Sequence, residues 1–248
     1  DGYITFKPGE KVRLLNLPVG ARYKVVEGIT AGYAPVSATI SSGGIDVDFT
    51  DANVTGTVVN GGSTVKFTNQ LRPTNGVIEA TKLLDGEAYT GKKFSFTLSG
   101  LPSMSYVENG ETKETHDLSN APATTIVDVK AGKVTFNADN SRALLRFDGA
   151  DSVGKYRYKL VENAISDTDY TTDTSVYVVE IDVTSVGGVL TVSSPVYYYI
   201  PVKSATDFKP FINDVNKVSG ATFKNNTKTG TINIVKEGTG DNGLVKLE

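Results

Sequence analysis

Val176-Tyr177-Val178-Val179-Glu180-Ile181-Asp182-Val183, then Gly187-Gly188 and Val189-Leu190-Thr191-Val192, is the stretch that decides the fold. β-Branched and aromatic residues suit a pleated, packed surface, and a Gly-Gly pair supplies the positive φ of a two-residue hairpin. The same grammar extends in both directions. Thr64-Val65-Lys66-Phe67-Thr68 and Phe94-Ser95-Phe96-Thr97-Leu98 are β-rich or alternate with period two, and Gly43-Gly44 separates Ala38-Thr39-Ile40 from Ile45-Asp46-Val47. No stretch carries three turns of amphipathic helix, and residues 205–218 are the place for a short helical turn. Many short strands with frequent turn signals predict an all-β protein of tandem Ig-like β-sandwiches.

Composition narrows the classes. A chain of 248 residues has room for about two domains of roughly 100–200 residues each. A net charge of −3 gives no electrostatic basis for binding nucleic acid or an anionic membrane, and no apolar run approaches the ~18–20 residues of a membrane-inserted span. With no cysteine, disulfides are excluded, so a secreted protein of this kind needs another source of resistance to unfolding. Asp1-Gly2-Tyr3 opens inside a strand-like pattern, so the chain reads as a fragment or a processed product.

An internal repeat sets the boundaries. Tyr23-Lys24-Val25-Val26-Glu27, followed by Phe67-Thr68-Asn69, recurs as Tyr158-Lys159-Leu160-Val161-Glu162, followed by Phe223-Lys224-Asn225. Each Phe-x-Asn leads into a strand-like segment ending in lysine: residues 76–82 with Lys82, and residues 230–236 with Lys236. Gly2-Tyr3-Ile4-Thr5-Phe6 aligns with Gly132-Lys133-Val134-Thr135-Phe136, yet nothing before it matches the strands at 76–82 and 93–98. Residues 1–70 therefore read as a β-sandwich truncated at its N-terminus, lacking about fifty residues on this alignment. Residues 71–75 read as a short polar linker, 76–226 as one complete module, and 227–248 as a tail beginning the first strand of a further module. Joints this short predict a stiff rod.

The order lysine, glutamate, asparagine on apolar strands points to a chemistry. Alternation puts Ile78, Ala80 and Lys82 on one face, Tyr158, Leu160 and Glu162 on another, and Ala221, Phe223 and Asn225 on a third. A lysine in a dry core shifts towards the neutral amine, a nucleophile, and a buried glutamate towards the neutral acid. Lys82 is then the nucleophile, Asn225 the electrophile and Glu162 the proton shuttle of a self-made amide crosslink, with folding supplying the proximity. Each of these residues alone reads as a solvated or turn-capping side chain, and the ordered, repeated set is what carries the argument. The bond closes a loop of more than a hundred residues, worth about 5 kcal/mol through the unfolded state, and routes tension through a covalent link. It forms once per molecule, so the chain is not a turnover enzyme. Glu27 holds the equivalent place in the truncated module, where Asn69 has no lysine partner. Lys7 and Lys11 lie too close to Glu27 to match the repeat's spacing. That partner is expected either from upstream sequence or from the Lys236 strand of a neighbouring molecule.

Lys82 on an opening strand, Tyr158-x-x-x-Glu162 and Phe223-x-Asn225 on a closing strand resemble the isopeptide-bearing domains of Gram-positive pilins and adhesins. The complete module is similar to the streptococcal major-pilin type. Leu17-Pro18-x-Gly20-x-x-Tyr23-x-Val25-x-Glu27 followed by Gly32-Tyr33 is similar to collagen-adhesin B-type domains. The resemblance implies secretion, sortase-mediated anchoring at the cell wall or in a pilus, and neighbouring pilin or adhesin subunits as partners. It implies no cofactor and no metal. The sequence has no Leu-Pro-x-Thr-Gly sorting signal.

Other signals are weaker. Gly238-Thr239-Gly240-Asp241-Asn242-Gly243 has dinucleotide-binding spacing but no following helix. His116 is the single histidine, too little for a zinc site or a catalytic triad. Asp167, Asp169 and Asp173 miss the EF-hand spacing and read as turn carboxylates. The alternative function is a surface module that binds a host protein or glycan without a crosslink, through residues 103–121 or Tyr197-Tyr198-Tyr199.

Overall fold

The computed structural model describes residues 4–5, 9–28, 32–42, 45–49 and 53–235. The N-terminal strands are β1 (Arg22–Val26), β2 (Tyr33–Ser42), β3 (Ile45–Phe49), β4 (Asn53–Thr57) and β5 (Ser63–Leu71). β1 pairs with β4, and β2 lies between β3 and β5. A small core of Ala38, Ile40 and Val54 fills the space between the two sheets, with Tyr23, Val65 and Phe67 packed against it.

The larger part begins after a two-residue strand, β6 (Thr74–Asn75). It continues through β7 (Ile78–Leu84), β8 (Glu87–Ala88), β9 (Phe96–Gly100), β10 (Ser105–Glu108), β11 (Glu111–Glu114), β12 (Thr124–Ile126) and β13 (Lys133–Phe136). One helical turn, α1 (Arg142–Leu145), precedes β14 (Arg146–Phe147). Then come β15 (Gly154–Glu162), β16 (Val176–Val186), β17 (Val189–Val192), β18 (Val196–Ile200), β19 (Lys217–Val218) and β20 (Ala221–Asn225). The strands form a β-sandwich. One sheet runs β13-β7-β20 with β8 at its margin, and the other runs β12-β9-β15-β16-β18-β19 with β17 paired to β16.

β16 shows why the larger sheet is buried on both faces. Tyr177, Val179, Ile181 and Val183 join the core between the sheets. Val176 and Val178 face the other way, where Leu101, Ile200 and Phe208 cover them. Phe208 precedes a 3-10 turn at Lys209–Phe211, inside the segment expected to hold a helical turn. Among the described residues no helix is long and apolar enough to cross a membrane.

Two expectations need correction. Residues 71–75 are not a free polar linker: Leu71 is 7% exposed and belongs to the larger core, and Thr74 and Asn75 pair with Phe147 and Arg146. One apolar residue, Leu71, outweighed the polar composition of the run. Tyr33 also reaches the larger part, where an added Cβ on Gly188 would sit 2.0 Å from its ring; Gly188 holds a φ of +82°. Residues 228–235 form no strand among the described residues, and beyond the contact of Lys228 N with Asp169 O at 2.7 Å they join no ladder there.

Candidate crosslinking site

Three strands deliver three buried polar groups. β7 buries Ile78, Ala80 and Lys82 and exposes Glu79 and Thr81. β20 buries Ala221, Phe223 and Asn225. β15 buries Tyr158, Leu160 and Glu162. Lys82 and Asn225 are 0% exposed and Glu162 6%. β7 and β20 run parallel, with Phe223 opposite Lys82 and Asn225 two residues further on. Glu162 stands in the opposite sheet, beside Phe96 of β9, so the site spans the sandwich.

The three side chains close a ring. Lys82 Nζ donates to Glu162 Oε2 at 2.6 Å and to Asn225 Oδ1. Asn225 Nδ2 donates to Glu162 Oε1 at 2.6 Å. One carboxyl group thus touches both prospective reactants, one oxygen each. Aromatic rings wall the site: Lys82 Nζ lies 4.1 Å from the centroid of Phe94 and 5.9 Å from that of Phe96. Phe96 packs on Phe223, which meets the edge of Tyr177. Tyr89 and Tyr170 flank Phe94 edge-on.

Burial holds the Lys82 ammonium below its ordinary range, against the upward pull of its hydrogen bond and charge pairing with Glu162. Burial likewise raises Glu162 above the ordinary carboxylate range, opposed by the hydrogen bonds from Lys82 and Asn225. Both shifts favour uncharged forms, because neither charge has water to solvate it. A neutral amine beside a carboxamide, with a carboxylic acid touching both, is a set of groups equipped for amide exchange.

Asp173 was read from sequence as a turn carboxylate, and it does more. Its Oδ2 accepts from Lys224 N at 2.5 Å and its Oδ1 from Ser175 N at 2.7 Å, which clamps β20 one residue before Asn225. Spacing gave no signal for this, since the contact joins residues 51 apart. Asp167 instead pairs with Lys93 at 2.9 Å. Among the described residues no group of His, Asp and Glu is placed to hold a metal ion. His116 stacks on Tyr156. Tyr197 donates its hydroxyl proton to Glu79 O at 2.8 Å, and β18 lies between β16 and β19, so Tyr197 ties one sheet of the sandwich to the other.

The N-terminal copy is half built. Asn69 Nδ2 donates to Glu27 Oε1 at 2.6 Å, the same contact as between Asn225 and Glu162. Here Asn69 is exposed and Glu27 half-buried, and no lysine among the described residues bonds to either. Lys236 lies outside the described residues.

Sandwich and triad together define a domain of the isopeptide class. The chain belongs to the FctA family, the Spy0128-like isopeptide containing domain, which matches residues 78–228 and so takes in Lys82, Glu162 and Asn225. A crystal structure of a mutant of the major pilin from Streptococcus pyogenes is similar over 62% of this chain at 18% identity and a TM-score of 0.35. That match covers 50% of the pilin chain, so this chain spans about half the length of the solved relative. No curated protein matches.

Proposed function

We propose that the chain is part of a structural subunit of a Gram-positive pilus or surface adhesin, and that residues 76–226 seal themselves with an amide bond between Lys82 and Asn225. The observation that carries this reading is Glu162, which contacts Lys82 Nζ through one oxygen and Asn225 Nδ2 through the other in a dry interior. Lys82 first gives a proton to Glu162, leaving a neutral amine and a neutral acid. The amine attacks Asn225 Cγ and the Nζ–Cγ bond forms. Glu162 passes its proton to Nδ2 and accepts the one the attacking nitrogen sheds. The Cγ–Nδ2 bond breaks, ammonia leaves and Glu162 ends as the neutral acid, keeping the one proton that the Lys82 ammonium brought in. Folding holds the partners in contact, and effective molarities of roughly 10⁵ M or more make an otherwise very slow amide exchange feasible.

The division at 1–70 and 76–226, the location at the cell surface and the neighbouring subunits as partners belong to the same proposal. Intact-protein mass spectrometry tests it. The folded chain should weigh one ammonia less than its sequence, with the deficit abolished in Lys82→Ala, Asn225→Ala and Glu162→Ala. A folded wild type at full sequence mass overturns the crosslink.

A further inference from the structure

β20 carries Asn225 on the margin of the smaller sheet, with β7 as its one neighbour among the described strands. On an extended chain the N–H groups of residues two apart point the same way, so those of Lys224, Asn226 and Lys228 face away from β7. All three are taken by one segment. Lys224 N donates to Asp173 Oδ2 at 2.5 Å, Asn226 N to Thr171 Oγ1 at 2.8 Å and Lys228 N to Asp169 O at 2.7 Å. Thr171 N returns a bond to Asn226 O at 2.9 Å, and Tyr170 forms an antiparallel bridge with Thr227. Residues 169, 171 and 173 thus run antiparallel to 228, 226 and 224, and they cover the edge of β20 partly with side chains in place of a strand.

The same segment reaches the rest of the triad. It spans residues 163–175, which leave β15 directly after Glu162 and lead into β16. Asn163 N donates to Ser95 O at 2.8 Å, and Asp167 pairs with Lys93 at 2.9 Å. Lys93 Nζ lies 4.1 Å from the centroid of Tyr170, and Tyr170 meets Phe94, the ring that walls Lys82, edge-on. We propose that residues 163–175 are a latch that holds the Asn225 strand in reacting register before the crosslink exists, and that Asp173 is its positioning residue.

Register is the quantity at stake. A slip of one residue turns Asn225 out of the core and points Lys224 into it. The bond from Lys224 N to Asp173 fixes that register one residue from the reacting carboxamide. The carboxylate is aimed for this contact: its Oδ1 accepts from Ser175 N at 2.7 Å, which leaves Oδ2 facing Lys224. On the β7 side Asp85 completes the grip, donating its N–H to Asn225 O at 3.0 Å and accepting from Thr227 N at 2.8 Å. Burial dominates the shifts of Lys82 on β7, Glu162 on β15 and Tyr177 on β16, and the Asp173 charge adds an upward pull on each. That pull steadies the neutral acid and opposes the neutral amine, so what Asp173 contributes is geometry. Once the Nζ–Cγ bond closes, it holds β20 by itself and the latch has done its part.

This inference rests on the Lys82–Asn225 reading, and refolding separates the two. The chain is recovered from inclusion bodies in urea, before the bond forms, and diluted into buffer. Tyrosine fluorescence reports folding, and intact mass reports the ammonia lost. Wild type should fold and lose one ammonia. Asp173→Ala should fold and lose it roughly 10- to 100-fold more slowly, the effect of a small misplacement of a reacting group. Asp173→Asn, which keeps one acceptor of the two, should fall between. Because it also removes a charge that acts on Lys82 and Glu162, the pH profile of its ammonia loss should move to lower pH. Tyr156→Phe loses the bond from its hydroxyl to Ser152 O at 2.9 Å and touches no latch contact, so it should keep the wild-type rate per folded chain. If Asp173→Ala does not fold, Asp173→Asn and Thr171→Val, which removes the acceptor for Asn226 N, carry the test, and both should slow ammonia loss in the folded chain. Ammonia loss at the wild-type rate in folded Asp173 variants overturns the latch. So does a delay that only matches slower folding, with an unmoved pH profile. Wild type that folds at full sequence mass overturns the crosslink itself.

Discussion

The two Glu–Asn pairs share a 2.6 Å hydrogen bond and differ in everything around it. At Glu162 the pair is shut between two sheets with a lysine and a wall of aromatic rings. At Glu27 the pair is open to solvent, with Asn69 exposed and Glu27 half-buried. The carboxyl–amide contact is thus a product of Tyr-x-x-x-Glu and Phe-x-Asn strands that face each other from different sheets. Reactivity needs two things more: a third strand to deliver the amine, and enough apolar surface to discharge it.

The comparison breaks most visibly if the amine is removed. Lys82→Ala should cost about 5 kcal/mol in stability, the loop-closure value for partners 143 residues apart. For a chain of this size that is about 10–20 °C in Tm, readable by calorimetry, and the N-terminal part should be unaffected. A smaller effect appears in Glu162→Gln, which leaves Lys82 buried and unreacted. Its folded pKa lies below the ordinary 10.5 because burial disfavours the charge. Between the folded value and 10.5 the unfolded state binds the extra proton, so stability should rise with pH by up to about 1.4 kcal/mol per unit and level off above 10.5. Urea midpoints across that range, with Lys82→Met/Glu162→Gln as reference, measure it. The crosslink we propose consumes this amine in the wild type, so the slope should be absent there.

A third contrast concerns the paired tyrosines. Tyr158→Phe strands Leu144 O and should cost about 1–3 kcal/mol, whereas Tyr23→Phe removes a hydroxyl that has no partner and should be close to neutral. The smallest effect belongs to Glu27→Ala and Asn69→Ala. In dilute chain each should leave the unfolding midpoint within about 0.5 kcal/mol of wild type and the mass deficit unchanged.

Period-two alternation made the site legible. Lys82, Glu162 and Asn225 each fall in phase with apolar neighbours, and each is buried. The sandwich followed from strand runs and glycine turns for the same reason. What stayed hidden was set by contacts distant in sequence. The turn α1, four residues long, is too short to show a helical period, and it exists because Leu144 and Leu145 plug the core. Arg157 and Glu180 are 5% and 9% exposed, a cross-strand ion pair at 2.8 Å. Once β15 and β16 are in register, Arg157 falls opposite Glu180 and Lys155 opposite Asp182, but composition alone does not give that register. The joint misled for a like reason: Leu71 reads as one apolar residue in a polar run until the core it enters is known.

Glu162, Lys82 and Asn225 meet only when strands from both sheets stand together, and the bond we assign to them outlasts that meeting. Heat or denaturant can scatter the strands afterwards without restoring the lost ammonia. Each molecule therefore carries a permanent record of having once been native. The proportion of light chains in a boiled sample counts how many ever reached the folded state, whatever has happened to them since.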